Sequence, residues 1–309
     1  MRLIHLSDVH IQLDYSQVPW RRLGWRRALA QVELRVLGRA ARFERGVEVL
    51  RQIARDADAL GADHVLLSGD LTALATHEEF RRAREALGLL ADDPSRLSII
   101  PGNHDRYTAH SMRSRRFEQH FGNLLKSDLP QHCGPDGYPY VRLVGSELAV
   151  IGLDSTHLAP LPGLAFGRIG FGQLRRLAAI LEDPALRDRG IAVLVHHAPL
   201  HRWGGADSIT HGLWDARWLL RALAGRSCSV HHGHIHERYW HRATDRHPHL
   251  FGAGASTMRG DEGYWIIEME RGCISSARVG RPGETSAETS TNHESAHPGA
   301  PRDRSEPFT

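Results

Sequence analysis

Three cysteines, Cys133, Cys228 and Cys273, are too few and too scattered for a disulfide framework or a thiolate zinc site, and their odd number points the same way. Long apolar runs are missing too: no segment reaches the roughly 18 uninterrupted residues of a membrane span. The opening Met1-Arg2-Leu3-Ile4-His5-Leu6-Ser7-Asp8 meets an acid too early for a signal peptide. Neither sign of charge dominates, since 39 basic residues face 36 acidic ones and leave a net charge of +3, so the basic balance alone does not imply nucleic acid. These absences predict a soluble cytoplasmic protein. Its 309 residues suffice for one domain with a sizeable core, and no internal repeat is visible.

What the chain does have is alternation of short apolar runs with amphipathic segments. Leu3–Leu6, His64–Leu67 and Leu97–Ile100 read as strands. Between them, Val47, Leu50, Ile53, Ala57 and Leu60 recur at helical spacing within 44–60. Thr76-His77-Glu78-Glu79 is a capping box that opens a helix ending before Pro94. Further strands are expected at 140–144, 149–153, 191–195 and 229–231, interleaved with helices near 173–181 and 215–224. The segments around Tyr239, 250–252 and 264–269 read as strands with no helices between them. The pattern predicts an α/β core of two stacked sheets with helices outside. We place one domain at 1–279, with a basic insertion at about 15–45, and a disordered tail at 280–309, where apolar content almost vanishes.

Five short segments carry the chemistry: Asp8-Val9-His10, Gly69-Asp70, Gly102-Asn103-His104-Asp105, His196-His197 and Gly233-His234-Ile235-His236. Each follows an apolar run, where open α/β sheets place ligand sites. Asp8 and His10 are two apart, so on an extended backbone they point to one side and can share a metal ion; His234 and His236 repeat that spacing. Carboxylate, amide and imidazole without sulfur suit Mn, Fe or Zn. Any single histidine among 22 is more readily a surface or core residue, as we expect for His5, His64 and His241. Asp105 is expected to structure its loop, and Asp154 to play a structural role.

Together these segments resemble the calcineurin-like metallophosphoesterase superfamily, over Met1 to about Met269. Leu6–His10 and Val65–Thr72 are similar to its bacterial branch that includes cyclic-nucleotide phosphodiesterases. The resemblance implies a four-layer α/β/β/α sandwich of two mixed sheets flanked by helices. It also implies two metal ions, with Asp8, His10 and His236 holding one, Asp70 bridging, and Asn103, His196 and His234 holding the other. His196 is chosen over His197 because it directly follows the strand, which leaves His197 either as a support behind the ligands or as a substrate contact. His104 is implied as the general acid. Several family members carry an acid three residues after the bridging Asp; here that position is Ala73, so His104 must be oriented by another group. Two divalent ions less two carboxylates and one hydroxide leave about one positive charge, which favours an anionic phosphate. Paired ions lower the pKa of a bridging water and clamp the oxygens of an in-line displacement.

The expected reaction is hydrolysis of a phosphodiester. Candidate substrates are a cyclic or small organic diester, a lipid-linked pyrophosphate or phosphodiester at a membrane surface, and a nucleic-acid end. A regulatory protein that binds metal without turnover is the non-enzyme alternative, and oxidative chemistry lacks supporting residues. Between Trp20 and Arg45, eight arginines face only Glu33 and Glu44, while Trp25, Leu29, Val32, Val36, Ala40 and Phe43 recur at helical spacing. This amphipathic stretch is expected to cap the core, or to touch an anionic membrane or a phosphorylated substrate. Arg106 and Arg202 are further candidate substrate contacts. Oligomeric state is not readable from the sequence.

Overall fold

The computed structural model describes residues 1–15, 27, 39–158 and 164–284. Most of the basic stretch 20–45 and most of the tail 280–309 therefore lie outside the described residues.

Eleven strands form two sheets among these residues. The first has the order β11-β10-β1-β2-β3, from β1 (Arg2–Leu6), β2 (His64–Leu67), β3 (Leu97–Ile99), β10 (Tyr264–Glu270) and β11 (Cys273–Gly280). The second has the order β4-β5-β6-β7-β9-β8, from β4 (Tyr140–Val144), β5 (Leu148–Gly152), β6 (Gly190–Leu194), β7 (Cys228–His232), β8 (Arg238–His241) and β9 (His249–Ala253). Both sheets are mixed: β1, β2 and β3 run parallel, as do β5, β6, β7 and β9, with antiparallel strands at the edges. Helices α1 (Gly46–Ala59), α2 (His77–Leu87), α3 (Ala109–Arg113), α4 (Arg116–Phe121), α5 (Phe171–Leu181) and α6 (Ala216–Leu223) complete the main elements.

Period-two alternation along the strands sorts side chains into layers. Ile4, Leu6, Val65 and Leu67 pack with Leu50, Ile53, Phe80 and Phe117 on the helix side of the first sheet. Leu3, Leu66 and Ile267 point the other way and meet Val150, Ala192, Leu194 and Phe251 of the second sheet. Ile151, Val193 and Val230 face Leu177, Ile180, Leu219 and Leu223 of α5 and α6. Three apolar layers between four layers of backbone make the α/β/β/α sandwich. Burying an Ile or Leu such as Ile53 or Leu50 stabilises it by about 1.5–3 kcal/mol each.

The capping box at Thr76 forms: its hydroxyl accepts from Glu79 N at 3.2 Å, and Glu79 Oε2 accepts from Thr76 N at 3.0 Å. His5 and His64 are buried core residues whose Nε2 atoms bond Ser68 Oγ and Ser98 Oγ, each at 2.9 Å. Three elements were not anticipated. Helices α3 and α4 are only five and six residues long, too short to show a period. Strand β11 is a largely exposed edge with a register shift at Glu268/Met269 of its partner, so it lacks an apolar run.

Candidate metal centre

Five parallel strands, three in the first sheet and two in the second, end beside one another. Each releases its polar groups within a few residues: Asp8 and His10 after β1, Asp70 after β2, Asn103 and His104 after β3, His196 after β6, His234 and His236 after β7. Main-chain bonds hold the first two loops together, from Asp8 N to Gly69 O (3.0 Å) and from His10 N to Asp70 O (2.9 Å). Asp105 pins the second loop to the third, accepting from Leu71 N, Thr72 N, Thr72 Oγ1 and Gly102 N at 2.9–3.2 Å. Its role is therefore in the loop, as expected.

The glycines ahead of the ligands follow from close approach. A Cβ at Gly102 would sit 2.1 Å from Asp70 Oδ1, and one at Gly233 would sit 2.0 Å from Ser7 Oγ and 2.1 Å from Asp8 Oδ2. The carboxylates pass directly over bare backbone.

One expectation is corrected. Asp8 and His10 do not lie on extended backbone, because β1 ends at Leu6 and both adopt left-handed conformations, with φ of 52° and 49°. His234 and His236 do the same at 75° and 54°, and Asp70 at 54°. The side chains converge because sharp loops turn them inward, not because a strand presents alternate residues to one face.

The donor atoms fall into two overlapping sets. In one, His10 Nε2 lies 3.0 Å from His236 Nε2 and 3.7 Å from both Asp8 Oδ1 and Asp70 Oδ2, while His236 Nε2 lies 3.2 Å from Asp8 Oδ1. In the other, Asn103 Oδ1 is 3.0 Å from both His196 Nε2 and His234 Nδ1, and His196 Nε2 is 3.4 Å from Asp70 Oδ2. Asp70 belongs to both. His196 therefore faces the cluster, whereas His197 turns away to Ser155 Oγ at 2.8 Å and is fully buried.

These residues fit metal ions, and the main chain shows why. Carbonyls accept only, so Ser68 O at 2.9 Å takes the Nδ1–H of His196, and His211 O at 3.0 Å takes the Nε2–H of His234. The opposite nitrogens then direct lone pairs inward, the arrangement that fixes the tautomer of a ligating imidazole. Ionisation agrees for Asp8, His10 and His234, whereas His196 keeps on Nε2 a proton that a metal ion would have to replace. Burial would raise Asp8, but hydrogen bonds from His10 and His236 hold its carboxyl well below the usual range. Burial pushes His10 down to about 4 and takes His234 well below its usual value. Burial also acts to lower His196, yet the Asp70 carboxylate outweighs it and holds the imidazole at about 9.

His104 stands at the rim, its ring centre 4.8 Å from that of His10. Its Nδ1 bonds Ala73 O at 2.8 Å, and its main-chain N–H donates to Asp70 Oδ1 at 2.8 Å. The group that orients His104 is thus a carbonyl at the very position where an acid was looked for.

The substrate-contact candidates fare differently. Arg106 is buried and paired with Glu118 and, at 3.1 Å, with Asp154, so it is not free to meet a phosphate. Asp154 also holds its own loop, accepting from Thr156 N at 2.8 Å. His197 is sealed beneath the cluster and does not reach solvent. Arg202 is exposed, stacks 4.4 Å over Trp203 and pairs with Glu237 at 3.2 Å. Two residues escaped sequence reading. The His211 ring stacks on His234 at 4.0 Å, and Phe43, at the end of the basic stretch, packs edge-on against His10 at 4.9 Å. His211 followed no apolar run, whereas Phe43 had been read only as part of an apolar face.

Among solved structures, a dimetal phosphatase from Danio rerio is similar to this chain with a TM-score of 0.58 and 14% identity, over 87% of this chain and 92% of that one. The purple acid phosphatase PPD1 from yellow lupin is similar with a TM-score of 0.51 and 9% identity, over 95% of this chain and 57% of the lupin chain. A putative 5'-nucleotidase from Staphylococcus aureus follows with a TM-score of 0.48 and 14% identity, over 94% and 56%. At these identities the likeness to the two phosphatases is one of fold. A search of curated protein sequences gave no match. The calcineurin-like phosphoesterase family profile matches residues 1–238, the span that contains the whole cluster, and the chain belongs to that family.

Proposed function

We propose that the protein is a metal-dependent phosphodiesterase whose two metal ions, Mn, Fe or Zn, are held by Asp8, His10 and His236 on one side and Asn103, His196 and His234 on the other, with Asp70 between them. The observation that carries this reading is Asp70, which lies 3.7 Å from His10 and 3.4 Å from His196 and so belongs to both donor sets. When bound, such ions supply a hydroxide nucleophile and neutralise phosphoryl oxygens. The chain's own part is orientation and proton transfer. Ser68 O and His211 O set the imidazoles, and His104, held through Nδ1 by Ala73 O, would deliver a proton to the leaving oxygen.

A diester suits the charge. Its phosphate carries one negative charge and needs no second cationic clamp. The arginines near the centre are spoken for, Arg106 by Glu118 and Asp154 and Arg202 by Glu237. Bis(p-nitrophenyl) phosphate and p-nitrophenyl phosphate, assayed with Mn and with Zn, test this. The expected result is a kcat/KM for the diester at least about tenfold higher, and a fall of about 10³-fold or more in Asp70→Asn. A faster monoester reaction rejects the diester preference, and an unchanged rate in Asp70→Asn rejects the metal centre. A panel of cyclic nucleotides, glycerophosphodiesters, nucleoside-diphosphate lipids and DNA then identifies the substrate class.

A further inference from the structure

Beside the His234 half of the cluster, the chain exposes apolar side chains that hydrolysis does not use. Seven large hydrophobics are strongly exposed among the described residues, and five cluster here: Phe171 (75%), Trp203 (67%), Ile209 (80%), Trp214 (51%) and Trp218 (48%). Exposed apolar residues scattered singly need no explanation, but a concentration beside a reaction centre does.

Contacts join the segments that carry Phe171, Ile209, Trp214 and Trp218 into one rim, and Trp203 precedes Ile209 by six residues in the chain. Trp214 stacks on Phe166 at 4.0 Å with the rings 4° from parallel, and its Nε1 donates to Ile209 O at 2.7 Å. Gly167 bridges Leu213. The Asp215 carboxylate accepts from Ile169 N at 3.0 Å and Gly170 N at 2.7 Å. This clips the start of α5, where Phe171 stands, to the start of α6, which carries Trp218. At the other end, Trp203 stacks on His201 at 4.1 Å with Arg202 over its ring. His211, stacked on His234, joins the rim to the cluster.

Charge gives the rim its sign. The exposed ionisable side chains along it are Arg168, Arg175, Arg202, Arg217 and Arg221. The two acids in the same segments face inward, Asp207 onto His211 Nδ1 at 2.6 Å and Asp215 onto backbone N–H groups. Glu237 from the neighbouring strand takes Arg202. Arg217 lies 4.9 Å over the Trp218 ring.

Indoles with arginines beside them, protruding Ile and Phe, and no unpaired outward-facing acid among the described residues match the chemistry of a bilayer's headgroup zone. There Trp spans the polar boundary, aliphatic tips enter the acyl edge and guanidinium groups meet phosphates. A nucleic-acid track needs flat faces in series along a charged groove, and Ile209, the most exposed of the five, offers none. We infer that this rim, formed by 201–218 and the start of α5, docks the protein onto an anionic lipid bilayer. The inference does not depend on which phosphate ester is cleaved.

The test is flotation of the full chain with vesicles of phosphatidylcholine alone and of phosphatidylcholine mixed with phosphatidylglycerol. Compared with wild type are a Phe171→Ser/Trp203→Ser/Ile209→Ser variant and an Arg217→Glu/Arg221→Glu variant. Wild type should float with the mixed vesicles, less so at high salt, and each variant should bind about tenfold more weakly or worse. Both variants should keep wild-type melting and wild-type turnover of a soluble chromogenic diester. Trp203→Ser alone, on an exposed loop, should give a partial loss. Absence of flotation, or equal flotation of wild type and variants, overturns the inference. So does a dimer in sedimentation that the serine variant dissolves, or binding to DNA in place of vesicles.

Discussion

The imidazole of His104 donates from Nδ1 to the main-chain carbonyl of Ala73 across 2.8 Å. A carbonyl fixes the ring as well as a carboxylate would, but brings no full charge to favour the imidazolium. Delivering a proton from Nε2 therefore requires the imidazolium form, while Nδ1–H stays on the Ala73 carbonyl.

Loss of that proton donor should depend on the leaving group. We expect His104→Asn to lower kcat by about 10²–10⁴ for diesters with alkoxide leaving groups. For p-nitrophenolate, which leaves unprotonated, the loss should stay within about tenfold. Steady-state rates across a leaving-group series check this, and a uniform loss would remove His104 from the acid role.

Gly233→Ala should leave the fold standing and damage the metal centre. The added methyl meets Asp8 Oδ2 at 2.1 Å and Ser7 Oγ at 2.0 Å, so the carboxylate has to move. Stability should drop by about 1–3 kcal/mol, as for overpacking elsewhere. Metal content per chain, measured after gel filtration, should fall; full wild-type content would show that the loop yields.

Asp105→Asn turns an amide NH₂ towards donors that now point at a carboxylate, among them Leu71 N, Thr72 N and Gly102 N. A buried donor facing a donor costs about 1–3 kcal/mol. Urea unfolding should register that loss, and a variant as stable as wild type would mean that the three loops do not need this clasp.

Glu79 offers a pH signature remote from the metal ligands. Burial pushes its carboxyl from 4.5 up to about 7. Below pH 4.5 folded and unfolded chains are both protonated there. Between 4.5 and about 7 the unfolded chain releases a proton that the folded one keeps, so this contribution to stability shrinks as pH rises, by about 3 kcal/mol in all. Glu79→Gln should flatten that slope in urea melts at pH 5, 6, 7 and 8. Parallel wild-type and variant profiles would contradict it.

Much of this molecule was legible in its residues. β2 spans His64–Leu67 as read, and all five polar segments follow strands that apolar runs announced. Residue types could not reveal what the main chain does. Ala73 looked like a missing acid, yet its carbonyl orients His104, and Ser68 and His211 act on their partners through carbonyls too. Arg106 looked like a phosphate contact until the fold brought Glu118 and Asp154 to it, one of them 48 residues away in sequence. Edge strand β11 went unread because an edge needs no apolar alternation.

Asp8, His10, Asp70, His234 and His236 all hold positive φ. A β-branched side chain pays heavily in that region, whereas Asn, Asp and His are the non-glycine residues enriched there. Backbone and metal chemistry therefore ask for the same short list at these five positions. In a library randomised at Asp8 and sorted for folding alone, with no metal and no substrate, Asn and Gly should survive while Val, Ile and Thr drop out. Five of the seven proposed ligands are selected twice over, and half of that selection would persist in a descendant that had given up catalysis.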